Sequence, residues 1–129
     1  MGLNVAVVGL GGIGNRHASI YHEHEACDVV AVCDLIQEKA DAAAEKYEAK
    51  AFYSVQDMLD SGLQIDAASV ASAGTENGGD HYKPTIELLN AGIPVLGEKP
   101  ISNNLDEAHA MVALAKEKGL RYGIDLNHR

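Results

Sequence analysis

The chain has 129 residues, a formal net charge of -9 and two cysteines. This length suits one domain with a single hydrophobic core. The acidic balance and the lack of a Lys/Arg cluster argue against a nucleic-acid-binding protein, because a phosphate backbone requires a cationic surface. No apolar run has the length of a membrane span, and the first residues lack the basic start of a secretory signal. We therefore expect a cytoplasmic protein without membrane or nucleic-acid partners, in which Cys27 and Cys33 are reduced thiols.

Short β-branched runs alternate with helical patterns along the whole chain. The strand-like runs are, in order, "LNVAVVG", "CDVVAVCD", "AKAFY", "IDAASVAS", "IPVLGE" and "RYGIDLN". The helical stretches between them are "GIGNRHASIYHEH", "QEKADAAAEKY", "SVQDMLDSG", "YKPTIELLNAG" and "NLDEAHAMVALAKEKG". This order predicts an α/β fold, a Rossmann-type doubly wound parallel sheet of about six strands with helices on both faces.

Three of the helices carry local start or stop signals. Ser54 is placed as the N-cap of a short helix that Gly62 ends. The next helix is predicted to start near Pro84, with Gly92 just past its end. In the last helix we expect an apolar stripe at helical spacing, formed by Leu105, Ala108, Val112 and Ala115.

The stretch "VVGLGGIGNRH" follows the first strand and contains the pattern G-x-G-x-x-G. In a dinucleotide site, Gly9 would permit the tight turn, Gly11 the close approach of a pyrophosphate, and Gly14 the close packing of helix on strand. Gly12 and Ile13 complete the loop, where free N–H groups and the helix dipole would hold the phosphates. A tight turn without a ligand fits the same pattern.

Asp34 ends the second strand, about 20 residues after the last glycine, the offset of the acid that holds a ribose diol. Its carboxylate would accept hydrogen bonds from the 2′- and 3′-hydroxyls and repel a 2′-phosphate. Alternatively, Asp34 only caps the next helix. No Arg lies in "DLIQEK", and Lys39 lies further along, so the residues favour NAD over NADP.

Two further stretches resemble a known family. "GLGGIGNRHASIY" places His17 three residues after the last glycine, and "AGIPVLGEKPIS" places Glu98, Lys99 and Pro100 after the fifth strand. With the "GIDLNHR" ending, the chain resembles the Gfo/Idh/MocA family, named for glucose–fructose oxidoreductase and inositol dehydrogenase. The resemblance implies a Rossmann domain followed by an open antiparallel sheet that supplies the substrate pocket and a catalytic His. We expect residues 1–129 to be the first domain alone, a truncated or isolated NAD(P)-binding domain.

The same resemblance implies roles for residues after the fifth and sixth strands. Lys99 would lie beside the nicotinamide and touch the reacting hydroxyl, which makes it the catalytic candidate. Glu98 would lie near the nicotinamide ribose, Pro100 would hold the loop, and Arg129 would lie near the nicotinamide end. The carboxyl ends of the strands are where open α/β sheets bind ligands, so this placement is physically consistent. A solvated loop lysine is the alternative for Lys99.

One loop departs from the family, and two histidines resemble a metal pair. After the fourth strand the family has Thr-Pro-Asn and a nearby His, whereas this chain reads "ASAGTENGGDHY". Ser72 offers a hydroxyl to the cofactor there, and the loop is either a flap or a surface turn. His22 and His24 point apart on a helix, so we expect no metal site. His17 is expected to pack under the glycine loop.

The leading hypothesis is an NAD-dependent oxidoreductase that acts on a secondary alcohol of a sugar or cyclitol, the substrate class being implied by the resemblance. The alternatives are a nucleotide-binding or redox-sensing module without chemistry, and another Rossmann reductase. We expect the 129-residue chain to bind cofactor, to turn over poorly, and to form a homo-oligomer through the face that the second domain would cover.

Overall fold

The computed structural model describes residues 3–71, 82–98, 105–120 and 122–125. The strands in this part of the chain are β1 (Leu3–Val8), β2 (Cys27–Cys33), β3 (Lys50–Phe52), β4 (Ala67–Val70), β5 (Val95–Glu98) and β6 (Tyr122–Asp125). The helices are α1 (Gly12–Glu23), α2 (Gln37–Tyr47), α3 (Val55–Asp60), α4 (Tyr82–Asn90) and α5 (Leu105–Lys118). Strand and helix alternate throughout, as the sequence predicted.

The six strands form one sheet in the order β3-β2-β1-β4-β5-β6. All neighbouring pairs are parallel. The order reverses between β1 and β4, and Val8 at the end of β1 lies between Cys33 of β2 and Val70 of β4. This confirms the predicted doubly wound α/β fold. Ligands bind at such a reversal, beyond the carboxyl ends of the strands.

Each face of the sheet has its own hydrophobic core. Alternate side chains of β1 point to opposite faces, so that Val7 belongs to one core and Val8 to the other. Helices α1 and α2 cover the first core through Ala18, Ala40, Ala43 and Tyr47. Helices α3, α4 and α5 cover the second through Val55, Met58, Leu88, Leu89 and Ala115. The uneven division leaves more of the first face without a helix among the described residues.

An apolar cleft of about 300 Å³ lies on that less covered face, beside α1. It is lined by Leu3, Val5, Tyr21, Cys27, Ala67, Ala68, Pro94, Val95 and Leu96. Leu3 at its edge is 53% exposed and Leu96 is 36% exposed. Apolar surface of this kind favours contact with another chain or segment.

One local prediction was confirmed and another was partly wrong. Helix α4 begins at Tyr82, two residues before Pro84, which agrees with the predicted start near Pro84, since a proline is tolerated in the first turn, where its missing N–H has no partner to lose. In α5, the prediction was wrong for Val112, which is 50% exposed, and right for Ala115; the buried side chains of this helix include Met111 and Ala115. These two are four residues apart and therefore share a helix face. The side chains of the remaining members of the predicted stripe lie outside the described residues.

None of the helices within the described ranges is both long enough and apolar enough to span a bilayer.

Candidate functional site

The glycine loop connects β1 to α1 at the point where the strand order reverses. Gly9 has φ 91°, a left-handed conformation that favours glycine, and it turns the chain immediately after the strand. Its N–H donates to the carbonyl oxygen of Cys33 at 2.8 Å, so the turn is anchored to the end of β2. On the other side, the N–H of Ala71 donates to the carbonyl oxygen of Val8 at 2.7 Å. The loop is thus held between the ends of β2 and β4.

Gly14 and Gly11 have opposite surroundings. A Cβ atom at Gly14 would lie 1.7 Å from the carbonyl oxygen of Gly9, so only glycine allows α1 to start so close to the turn. A Cβ atom at Gly11 would meet nothing within 4 Å. This open side is where a ligand can approach the backbone. The structure therefore gives Gly9, Gly11 and Gly14 the three different surroundings that the dinucleotide pattern requires.

The N-terminus of α1 lies directly after the glycine loop. Gly11 is the N-cap, no side chain caps it, and the first turn contains no acidic residue. Gly12 and Ile13 are the first two residues of the helix, whose initial N–H groups have no partner within the helix itself. The positive end of the helix dipole lies there as well. The chemistry of this terminus fits an anion such as a pyrophosphate.

Asp34 is tied into the same loop. Its Oδ2 accepts a hydrogen bond from the N–H of Leu10 at 2.8 Å, and its Oδ1 accepts one from the N–H of Ile36 at 2.8 Å. Helix α2 has Ile36 as its N-cap and no side-chain cap, so Asp34 is not the cap of that helix. Each carboxylate oxygen has a further lone pair for a ligand hydroxyl. The residue therefore both orients the loop and presents acceptors beside it.

Apolar side chains next to Asp34 were not singled out by sequence reasoning. Leu35 is 83% exposed and Ile36 is 49% exposed. Exposed aliphatic groups beside a carboxylate offer a surface on which a flat aromatic base could lie. The sequence feature that could have identified them is their position directly after Asp34, the predicted ribose-binding acid.

Cys33 lies next to Asp34 but has no reactive thiol. It is 2% exposed, and burial, with a further contribution from the negative charge of Asp34, raises its pKa to about 12. The thiol therefore stays protonated at neutral pH and is a poor nucleophile. Cys27 and Cys33 are both free, as expected.

The histidines of α1 pack against tyrosines. His17 is 7% exposed, and its ring lies edge-on to Tyr21 with centroids 6.3 Å apart. His22 lies edge-on to Tyr47 at 5.7 Å. Within the described ranges, no three His, Cys, Asp or Glu side chains come together as a metal site. These contacts indicate a packing role for both histidines.

Among the remaining site candidates, Glu98 has a described backbone. Glu98 is the last residue of β5 and pairs with Asp125 of β6, so its backbone lies at the carboxyl edge, as predicted. Its side chain lies outside the described residues. So do Ser72, Lys99, Pro100 and Arg129, whose roles stay predictions.

Comparison with known proteins agrees with this architecture. A family model described as "oxidoreductase family, NAD-binding Rossmann fold" matches residues 3–126. The chain is 32% identical over 128 residues to the D-glucoside 3-dehydrogenase of Escherichia coli (strain K12), covering 98% of this chain and 35% of that protein. It is 34% identical over 116 residues to the inositol 2-dehydrogenase of Rubrobacter xylanophilus, covering 89% of this chain and 32% of that protein.

Among solved structures, the WlbA dehydrogenase from Bordetella pertussis, in complex with NADH and UDP-GlcNAcA, matches with a TM-score of 0.87 at 28% identity. The match covers 97% of this chain and 38% of that one. The chain thus spans about a third of the length of the curated relatives it matches. On the family match and the shared fold, the chain belongs to the Gfo/Idh/MocA family of NAD-binding Rossmann-fold oxidoreductases.

Proposed function

We propose that this chain is the NAD-binding domain of an oxidoreductase that transfers hydride between a nicotinamide and a secondary alcohol of a sugar or cyclitol. The observation that carries the proposal is the α1 N-terminus. It has no side-chain cap, and its first turn has no acidic residue. Gly14 packs so closely against the turn at Gly9 that there is no room for a Cβ atom. Such a terminus is built for an anionic group that the chain itself does not supply.

The activities after which the relatives are named support the substrate class. The names describe dehydrogenases of a glucoside and of inositol, both polyhydroxylated rings. When bound, the nicotinamide supplies hydride chemistry, and the protein supplies orientation and handles the proton. Lys99 is the proposed catalytic residue, in contact with the reacting hydroxyl. Glu98 is proposed to lie near the nicotinamide ribose and Arg129 near the nicotinamide end. Pro100 is proposed to hold the loop, and Ser72 to offer a hydroxyl to the cofactor.

NAD is the proposed cofactor rather than NADP. A 2′-phosphate on the ribose would bring a second anion against the carboxylate of Asp34, and the next two side chains, Leu35 and Ile36, carry no charge to offset it. Titration calorimetry should therefore show tighter binding of NAD than of NADP. Asp34→Asn should reduce the preference about tenfold or more, because it removes the charge while keeping the size of the side chain.

Asp41→Asn is the matched control for this substitution. It changes the net charge equally, but Asp41 accepts a hydrogen bond from Tyr53 on the outside of α2, away from the loop. It should leave the preference unchanged. Equal affinities for NAD and NADP in the unsubstituted chain would contradict the cofactor assignment, and no binding of either would contradict the proposed function.

We also propose that the 129-residue chain binds cofactor without efficient turnover, since its relatives are about three times longer. The family resemblance places the substrate pocket in a second domain, so a polypeptide of residues 1–129 alone would not hold a substrate against the nicotinamide. Such positioning contributes roughly 7–11 kcal/mol of the barrier. NADH formation with a panel of sugars and cyclitols measures this. Robust turnover by this chain would contradict it.

Cytoplasmic location and self-association remain proposals. We propose a homo-oligomer that forms through the face that a second domain would cover. The apolar cleft beside α1, with Leu3 and Leu96 at its surface, is a further exposed apolar surface that favours contact with another chain. Light scattering at increasing concentration measures the mass. A monomer at high concentration would contradict this proposal.

A further inference from the structure

A buried tyrosine connects α2 to the start of α1. Tyr47 is the last residue of α2 and is 3% exposed. Its hydroxyl donates toward two oxygens of Asn15, the backbone carbonyl at 3.0 Å and Oδ1 at 3.2 Å. The ring is held from outside by His22, edge-on at 5.7 Å, and by the Nζ of Lys46 at 5.3 Å from its centroid. The hydroxyl therefore has a defined position next to the first turn of α1.

Asn15 connects Tyr47 to the glycine loop through hydrogen bonds. Its Nδ2 donates to the carbonyl oxygen of Leu10 at 2.8 Å and to that of Gly11 at 3.1 Å. An inverted amide would place Oδ1 against these two carbonyl oxygens, and acceptors repel one another. Because Tyr47 donates to Oδ1, it favours the orientation in which Nδ2 faces the loop.

Leu10 is consequently held from both sides of its backbone. Its N–H donates to Asp34 and its carbonyl accepts from Asn15. Rotation of the peptide between Leu10 and Gly11 would break the contact with Asn15 and could turn a carbonyl oxygen toward an incoming phosphate. The amide of Asn15 donates to the carbonyl oxygens of Leu10 and Gly11 and so keeps them turned toward it. The N–H groups of the helix terminus are then the groups available to an anion.

We propose that Tyr47 is a positioning residue for the phosphate-binding loop and acts through Asn15. This inference rests on the proposed function, because it assigns Tyr47 to the binding of the pyrophosphate half of the cofactor. Tyr47 does not touch the ligand. It holds the amide that orients the loop carbonyls, and support of this kind determines how accurately a binding group is placed.

The test compares a ligand with a pyrophosphate and one without. ADP and adenosine are titrated into the 129-residue chain, ADP by calorimetry and adenosine by ligand-observed NMR. Tyr47→Phe should weaken ADP binding about threefold to tenfold, the usual effect of one hydrogen bond, and leave adenosine binding unchanged. A general loss of structure would weaken the binding of ADP and of adenosine together.

Tyr53→Phe is the matched control. It also removes one tyrosine hydroxyl, which donates to Asp41 at 2.7 Å on the exposed side of α2. It should not change the affinity for either ligand. A Tyr47→Phe chain that binds ADP as tightly as the Tyr53→Phe chain would overturn the inference while leaving the proposed function intact.

A second variant tests the route through Asn15. Asn15→Ala should weaken ADP binding selectively, and adding Tyr47→Phe to it should cause no further loss. Independent, additive losses would overturn the route. If the unsubstituted chain does not bind ADP, the proposed function fails, and this inference fails with it.

Discussion

The N-termini of α1 and α3 both follow strands of the same parallel sheet, but their first turns are capped differently. At α3, Ser54 is the N-cap, and its Oγ accepts a hydrogen bond from the N–H of Asp57 at 3.1 Å. Asp57 also places a negative charge in the first turn. At α1, Gly11 is the N-cap, no side chain caps it, and the first turn has no acidic residue.

The comparison separates a structural terminus from one that is available to a ligand. Ser54 satisfies an N–H group from within the chain and stabilises α3 directly. The α1 terminus forgoes this stabilisation, and its N–H groups and dipole remain for a group from outside. Helix α2 also lacks a side-chain cap, but it has Glu38 in its first turn, so α1 differs from both other termini in having neither a cap nor an acidic residue.

Gly14→Ala should have the largest effect, because the α1 terminus depends on its contact with the turn. A Cβ atom 1.7 Å from the carbonyl oxygen of Gly9 forces the backbone to move. We expect NAD binding below detection and a free energy of unfolding lower by about 1–3 kcal/mol. Calorimetry and urea unfolding measure the two quantities. Wild-type affinity would show that the close approach is unnecessary for binding.

Gly11→Ser would make the α1 terminus resemble that of α3. The added side chain meets no protein atom within 4 Å, and φ −76° at this position is allowed for serine. We expect stability equal to or a few tenths of a kcal/mol above that of the unsubstituted chain. NAD affinity should fall about tenfold or more, because the side chain occupies the space through which the pyrophosphate approaches. Unchanged affinity would place the ligand elsewhere.

Ser54→Ala should have the smallest effect and act on stability alone. Loss of the cap at α3 should lower the free energy of unfolding by about 1 kcal/mol, measured in urea. NAD affinity should stay unchanged, since α3 packs on the opposite face of the sheet from α1. Ser54→Gly should cost only a few tenths of a kcal/mol. A loss of NAD binding in Ser54→Ala would remove the distinction between the two termini.

Much of this architecture could be predicted because its determinants are local in sequence. The alternation of β-branched runs with helical patterns indicated the sheet, and Ser54 at the start of a helical stretch predicted the cap that the structure shows. The interval between Gly14 and Asp34 indicated that the acid lies near the turn, and Asp34 indeed accepts from the N–H of Leu10.

What could not be predicted depends on contacts between distant residues. Asn15 and Tyr47 are 32 positions apart, and no pattern of residue types identifies them as partners before the chain folds. In α5, Val112 and Met111 are adjacent apolar residues, and only packing determines that Met111 is the buried one. Side chains of similar hydrophobicity do not differ enough in sequence to settle which faces the sheet.

The contrast between the two cysteines of β2 has a practical consequence. Cys33 is buried and holds its proton, whereas Cys27 is only partly buried at the opposite end of the strand. Thiol-directed dyes should therefore label Cys27 first, without any cysteine having to be replaced. The strand keeps such a dye roughly 20 Å from the glycine loop. Because Cys27 also lines the apolar cleft, the fluorescence of a dye attached to it would change when a ligand or another chain enters that cleft. The glycine loop would stay undisturbed.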